Sequence, residues 1–172
     1  MAPQEMVQRE LSSPVADTDL ALERALCPVP FTKIPARGRK ATFHWVKRPE
    51  GDLADGTFYT DGSVLDGPSK LLGRCGWVFV AVELNGFVVA AAYGIPPPWI
   101  TCIPGADAWA ALQAAKVSMP GSTFRIDCES CVAAIHAGMD RACSDANPLA
   151  RVHQMVAVAF DDTPLESVVW IP

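Results

Sequence analysis

The chain has 172 residues, half of them apolar, and a net charge of −5. This length and composition suffice for one domain with a single buried core, with no apolar run long enough to span a bilayer and no signal peptide. We therefore expect a soluble, intracellular protein without membrane contacts, in which the six cysteines are thiols and form no disulfide framework.

Residues 1–52 are predicted to form a poorly ordered leader that is rich in proline and partly basic. Its six prolines leave room for a short helix over residues 17–26 and a short strand over residues 42–46. Every charged residue from Lys33 to Arg48 is basic, whereas 13 acids and six basic residues follow from Gly51 onward. This basic arm is equally compatible with contacts to nucleic acid phosphates and with a solvated linker.

Residues 53–172 form the predicted domain and begin with the stretch on which the functional interpretation depends. β-Branched and aromatic side chains predict a strand from residue 57, and we expect it to end at Asp61, which precedes Gly62 and Ser63. A carboxylate at the end of a central strand has little water around it, so it requires a cation or a proton. Asp61 and Gly62 would also suit a hairpin turn, but a second turn sequence follows at residues 66–69.

The rest of the domain alternates between strands and helices. Strands over residues 75–84 and 87–95 flank Asn85-Gly86, which predicts an antiparallel hairpin with a two-residue type I′ turn. The pattern then predicts a helix over 106–117, a strand over 124–127, helices beginning near Cys128 and Asn147, and a last strand over 167–171. Strands joined through helices pair in parallel. We therefore predict an α/β fold with a mixed five-stranded sheet, antiparallel at first and then parallel, with flanking helices.

Three acids stand at the ends of elements in this arrangement. Asp61 ends the first strand, Asp107 opens the first long helix and Asp127 ends the fourth strand. If the first and fourth strands are parallel neighbours, their carboxylates meet at one sheet edge, where open α/β sheets bind ligands. Carboxylates at such short distances from one another require a divalent metal ion. Oxygen ligands favour Mg²⁺, with Mn²⁺ as a substitute. Each acid also has a structural explanation, since Asp107 in a first helical turn suits the macrodipole and Asp127 suits an N-cap.

Four motifs carry a resemblance to a known family. They are YTDGS at residues 59–63, ADAWAAL at 106–112, RIDCESCV at 125–132 and VWIP at 169–172. In this order they resemble ribonuclease H, in particular the type-1 domains that follow retroelement reverse transcriptases. The resemblance covers about residues 55–172. It implies a ribonuclease-H-like mixed five-stranded sheet and cleavage of the RNA strand of RNA–DNA hybrids with two Mg²⁺ ions.

The same resemblance implies the roles of individual residues. Asp61, Asp107 and Asp127 match catalytic residues and metal ligands, whereas Gly62, Ser63 and Cys128 lie where the family meets nucleic acid. It also implies an RNA–DNA hybrid as the partner and a reverse transcriptase domain upstream in a full-length parent.

Several departures from the family pattern weaken the expected activity. Asp107 stands where the family has glutamate, which is one methylene longer, and Cys128 replaces the usual serine. The chain stops at Pro172, where the family continues with a last helix and a fourth carboxylate. We expect hybrid cleavage to be weak or absent, and more evident with Mn²⁺ than with Mg²⁺.

Two alternatives stay open at this point. The domain could be a catalytically dead module that only binds nucleic acid or packs against another protein. Alternatively, Cys128 and Cys131 form a Cys-x-x-Cys motif at a helix N-terminus, a placement typical of thiol–disulfide exchange.

Overall fold

The computed structural model describes residues 40–65, 73–138, 144–162 and 167–171. Within these ranges the chain forms strands β1 (His44–Lys47), β2 (Thr57–Leu65), β3 (Arg74–Val82), β4 (Val88–Gly94), β5 (Thr123–Ile126) and β6 (Ser167–Trp170). Its helices are α1 (Ile103–Ala115), α2 (Glu129–His136) and α3 (Ala150–Asp162). The predicted helix over residues 17–26 lies outside the described residues.

The strands of the described chain form one mixed sheet in the order β1-β4-β3-β2-β5-β6. Neighbours from β1 to β2 pair antiparallel, whereas β2, β5 and β6 pair in parallel. The mixed α/β sheet is therefore confirmed, with the first and fourth predicted strands as parallel neighbours. The sheet has six strands rather than five, because β1 pairs with β4 through His44 and Tyr93. The folded sheet thus begins ahead of residue 53, where we had placed the start of the domain.

The hairpin between β3 and β4 differs from the prediction. The Gly86 N–H donates to the Glu83 carbonyl over 2.9 Å, and the Glu83 N–H donates to the Phe87 carbonyl over 3.0 Å. Leu84, Asn85 and Gly86 therefore form a three-residue loop, with Gly86 at a φ of 85°. The two-residue turn was wrong because glycine takes a positive φ equally well at the last position of a longer loop.

The core lies between the sheet and helices α1 and α3. Phe58, Phe79 and Phe124 are fully buried on one face of the sheet, and the Phe124 ring meets Phe160 of α3 at 5.2 Å. Helix α1 packs against β2, β3 and α3, and its residues from Gly105 to Ala115 are all buried. Its many alanines have no polar face to present to water, which is the pattern of a helix buried all round. No helix among the described residues has the length and apolar character needed to cross a membrane.

Candidate metal centre

The site begins where the pairing between β2 and β5 stops. Thr60 and Ile126 are the last partners of this parallel pair, and Asp61 and Asp127 are the next residues of the two segments. We had expected β2 to end at Asp61, but it continues to Leu65 because β3 pairs with it along its whole length. Asp61 therefore lies within a strand, beside the point where β5 ends. The parallel pairing alone is enough to bring the two carboxylates together.

Helix α1 supplies the third acid. The helix begins at Ile103, with a proline in its first turn, so Asp107 lies in the second turn and not the first. The expected macrodipole explanation for Asp107 is therefore wrong, since that effect is confined to the first turn. Asp127 is also not an N-cap, because Cys128 occupies that position before α2. Neither acid keeps the structural explanation that we had considered for it.

Gly62 allows α1 to lie close to β2. A Cβ added to Gly62 would meet the Asp107 backbone nitrogen at 2.4 Å and the Asp107 Oδ1 atom at 2.7 Å. No side chain fits in that space, so the glycine is required by close approach and not by its backbone conformation. The contact holds Asp107 directly against the strand that carries Asp61.

The three carboxylates converge although they come from separate parts of the chain. One oxygen from each of Asp61, Asp107 and Asp127 lies within 4.8 Å of the other two. Asp61 and Asp127 are exposed, whereas the residue Asp107 is only 1% exposed. The cluster thus has an open side with two acids and a buried side with one.

Burial and mutual repulsion make this cluster electrostatically unfavourable without a cation. Burial raises the pKa of Asp107 to about 6; the Asp127 and Asp61 charges add to the shift, and hydrogen bonds from Cys128 and Gly62 oppose it. Burial and then Asp127 also raise the pKa of Asp61. The Asp107 Oδ1 atom is buried and has no hydrogen-bond partner among the described residues. A buried polar atom of this kind is a candidate for contact with a water molecule or a bound ion.

A hard divalent cation fits this donor set. The ligands are all carboxylate oxygens, which Mg²⁺ and Mn²⁺ prefer. Oxygens bound to one Mg²⁺ lie up to about 4.2 Å apart, twice the bond length of about 2.1 Å. The three oxygens lie within 4.8 Å of one another, so small adjustments of the side chains would bring them to one ion. A cation would also satisfy the buried Asp107 oxygen.

The raised pKa of Asp107 predicts a measurable pH dependence of stability. Its folded pKa of about 6 exceeds the ordinary value of 3.8, so the folded protein holds this proton more tightly than the unfolded chain. The Asp107 contribution to stability is therefore complete below the ordinary pKa and is lost as the pH rises through about 6. In metal-free buffer, we expect Asp107→Asn to be more stable than wild type at neutral pH and equally stable in acid.

Urea unfolding with a chelator present, followed across this pH range, measures the difference. Exposed Asp145 offers a matched control, since Asp145→Asn should follow the wild-type profile. Parallel profiles for wild type and Asp107→Asn would contradict the prediction.

The three residues expected to contact nucleic acid, Gly62, Ser63 and Cys128, differ in their exposure to solvent. Ser63 is exposed two residues beyond Asp61, whereas Gly62 is buried against α1. Cys128 is half-buried, and its sulfur lies 3.2 Å from the Ser130 hydroxyl and donates a hydrogen bond to the Asp107 carboxylate. Of the three, only the Ser63 side chain is freely accessible from solvent.

The thiol-exchange alternative is disfavoured by the same surroundings. Burial raises the pKa of the Cys128 thiol, and the neighbouring Asp107 charge adds to the shift. Burial likewise raises the pKa of Cys131, whose residue is only 1% exposed. Exchange requires an accessible thiolate of low pKa. Both cysteines lack that property, because burial above all and the neighbouring Asp107 charge in addition raise the pKa of each thiol.

Trp170 is a positioning residue that the sequence placed in a family motif without assigning it a role. Its indole N–H donates to the Asp127 carbonyl over 3.1 Å, while the Ile171 N–H donates to Ile126 over 3.0 Å. Strand β6 thereby holds the backbone of Asp127 just past the end of β5. The sequence signal was a tryptophan near the end of the last predicted strand, but the bond depends on the pairing of β6 with β5.

We expect Trp170→Phe to lower the free energy of unfolding by roughly 0.5–1.5 kcal/mol, the usual net contribution of one hydrogen bond. Metal affinity should fall as well, because Asp127 loses a support. Calorimetric titration with Mn²⁺ together with urea unfolding would test both effects. Trp99, which is similarly exposed, provides the control variant Trp99→Phe. Unchanged metal affinity in Trp170→Phe would count against a positioning role.

The sheet order, the helices on its core face and the placement of the acids define a ribonuclease H fold. Comparison with solved structures agrees. The chain is similar to ribonuclease H1 from Halobacterium salinarum, with 17% identity and a TM-score of 0.52 over 67% of this chain and 84% of the other. For the N-terminal RNase H domain of a Mycobacterium tuberculosis protein, solved as a fusion with maltose binding protein, the identity is 12% and the TM-score 0.52. That match covers 69% of this chain and 84% of the other.

A third similar structure is the foamy viral protease-reverse transcriptase in complex with an RNA/DNA hybrid. Its identity is 15% and its TM-score 0.50, over 100% of this chain and 26% of the other. No protein-family model and no curated protein sequence matches the chain. The structural similarities show a shared fold, as the sequence motifs implied.

Proposed function

We propose that this domain binds RNA–DNA hybrids and hydrolyses their RNA strand, using divalent ions held by Asp61, Asp107 and Asp127. The observation that carries the proposal is the convergence of three carboxylates, one of them buried, at the end of β5 in a ribonuclease H fold. The foamy viral structure of similar fold contains an RNA/DNA hybrid, which supports this class of substrate.

The residues of the site have distinct roles in this proposal. Asp61 and Asp127 lie on the open side, where a nucleic acid backbone has access, and Asp107 anchors a cation from the buried side. When bound, divalent ions activate water for attack on the phosphodiester and stabilise the departing 3′ oxygen. Gly62 keeps Asp107 in place, and Trp170 supports Asp127.

Substrate selection rests on shape and on the ribose hydroxyl. Proteins distinguish RNA from DNA through the 2′-hydroxyl, which both donates and accepts hydrogen bonds. Ser63 offers an exposed hydroxyl beside the carboxylates, so we assign it a contact with the sugar-phosphate backbone. Contacts to phosphates make the affinity fall with rising salt, whatever the base sequence.

A cleavage assay tests the proposal directly. The protein is incubated with labelled RNA–DNA hybrid, duplex DNA and single-stranded RNA, in Mg²⁺, in Mn²⁺ and with a chelator. We expect metal-dependent cleavage of the hybrid RNA, with less cleavage of the other two substrates. Preferential cleavage of duplex DNA would overturn the assignment. Binding of the hybrid without cleavage would favour the non-catalytic module.

A further inference from the structure

Helix α3 has more apolar surface than the core covers. Residues 155–160 of this helix, Met-Val-Ala-Val-Ala-Phe, are apolar without interruption, and six successive residues turn through more than the full circumference of a helix. Val152 and Val156 are buried in the core, whereas Val158 lies on another side of α3 and is 49% exposed. A helix that is apolar on every side needs packing partners on every side. The described part of the chain therefore leaves one side of α3 uncovered.

This uncovered side lines a groove of about 680 Å³ between α3 and the C-terminal half of α1, which we call the α1–α3 groove. The α3 residues in it have the helical spacing i, i+3, i+4 and i+7, namely Met155, Val158, Ala159 and Asp162. Leu112 and Ala115 of α1 also line the groove, together with the exposed side chain of Leu53. From residue 155 to residue 162 the α3 face is about 10 Å long, which matches two turns of a partner helix.

The α1–α3 groove ends at a negatively charged helix terminus. Asp161 and Asp162 are the last residues of α3, and the last turn of this described helix holds no basic residue. The helix macrodipole places partial negative charge at the same end, so the dipole and the two acids repel one another. Lys116 is the only cation among the described residues that line the groove, and its Nζ atom lies 5.9 Å from the centroid of the Trp109 ring. A positively charged partner is therefore favoured at the Asp162 end.

We propose that the α1–α3 groove binds a basic amphipathic helix of a protein partner. Apolar side chains of that helix, spaced i, i+3, i+4 and i+7, would pack against Met155 and Val158, which is how amphipathic helices bind in hydrophobic grooves. Its lysine or arginine side chains would pair with Asp161 and Asp162 at the end of α3. No residue of the carboxylate cluster is among the described residues that line the groove. The inference concerns assembly and does not depend on the proposed nuclease activity.

A synthetic helical peptide tests the inference with the full chain, by fluorescence anisotropy of the labelled peptide. The peptide consists of leucine and lysine, with leucine at the spacing i, i+3, i+4 and i+7. One control peptide has the same composition in scrambled order, and a second keeps the pattern but has glutamate in place of lysine. We expect the patterned leucine–lysine peptide to bind at least about tenfold more tightly than either control. Mg²⁺ is present throughout, because lysine is also attracted to the carboxylate cluster, and Asp61→Asn should bind the peptide as wild type does.

Variants of the protein locate the binding surface. Val158→Ser should weaken binding of the patterned peptide at least about threefold, because it removes an apolar contact. The matched control is Val46→Ser, since Val46 is also exposed but lies on β1. Asp162→Asn should weaken binding by about twofold to fivefold through the lost charge, whereas Asp145→Asn should bind normally.

Three outcomes would overturn the inference: equal binding of the patterned and scrambled peptides, unchanged affinity in Val158→Ser, or loss of binding in Asp61→Asn. Thermal unfolding checks that each variant folds. NMR of wild type gives a readout that needs no variant, since the peptide should shift the amide signals of Leu53, Lys116 and Met155. Shifts confined to the carboxylate cluster would contradict the inference. Because no nucleic acid is present, a failed cleavage assay leaves this test unaffected.

Discussion

Replacing Asp61 with asparagine should abolish divalent-metal binding at the cluster and reduce hybrid cleavage by at least about 100-fold. The variant keeps the shape of the side chain but removes one of the three charges that converge within 4.8 Å. A bound metal ion contributes several kcal/mol of transition-state stabilisation. Since about 1.4 kcal/mol corresponds to a tenfold change in rate, loss of the ion should lower the cleavage rate by more than about 100-fold.

Calorimetric titration with Mn²⁺ and the hybrid cleavage assay measure the two effects separately. Asp55→Asn is a matched control, because Asp55 is also exposed but precedes the other end of β2. The control should retain wild-type binding and cleavage. Equal metal affinity in wild type and Asp61→Asn would show that Asp61 is not a ligand, and it would remove the main support for the proposed function.

Replacing Gly62 with alanine should destabilise the fold and disrupt the metal site together. The added Cβ would lie 2.4 Å from the Asp107 nitrogen and 2.6 Å from the Ala106 carbonyl carbon, which are both backbone atoms of α1. The helix must therefore shift away from β2, although it is buried along nearly its whole length. Overpacking of a tight core typically costs about 1–3 kcal/mol. A helix shift also moves Asp107, so Mn²⁺ affinity should fall in parallel.

Gly51→Ala is the matched control, since a Cβ at that glycine meets no atom within 4 Å. Urea unfolding should give a normal midpoint for this control and a clearly lower one for Gly62→Ala. Mn²⁺ titration of the folded protein then shows whether the site is affected. A Gly62→Ala protein with wild-type stability and metal affinity would refute the close approach of α1 and β2.

The pH dependence predicted for Asp107 and the effects expected for Asp61→Asn and Gly62→Ala have a common physical cause. The buried acid destabilises the metal-free protein at neutral pH, because its charged form lacks a compensating partner. Gly62 keeps that acid in its unfavourable position, and a bound cation would offset the loss of stability that its charge causes. Function and stability therefore make opposite demands on Asp107, which Asp107→Asn would separate.

The sequence by itself determined the order of the strands and helices. It also identified Asp61 of β2 and Asp127 after β5 as candidate site residues. Alternating apolar patterns predicted the strands, and the pairing of β2 and β5 as parallel neighbours was the condition on which the predicted site depended. Parallel neighbours present equivalent ends at the same sheet edge, so Asp61 and Asp127 meet once β2 and β5 are paired. These features are periodic or local, and a single sequence carries them.

Only the tertiary structure decided how deep the site is and what supports it. The burial of Asp107 depends on α1 lying against Gly62, and the contact of Cys128 with Asp107 depends on how α2 meets α1. The Trp170 bond to Asp127 joins segments that are 43 residues apart. Burial, repulsion and long-range hydrogen bonds arise from distances between distant parts of the chain. The local sequence pattern therefore identified the acids, while three-dimensional packing determined the environment that makes them a candidate metal centre.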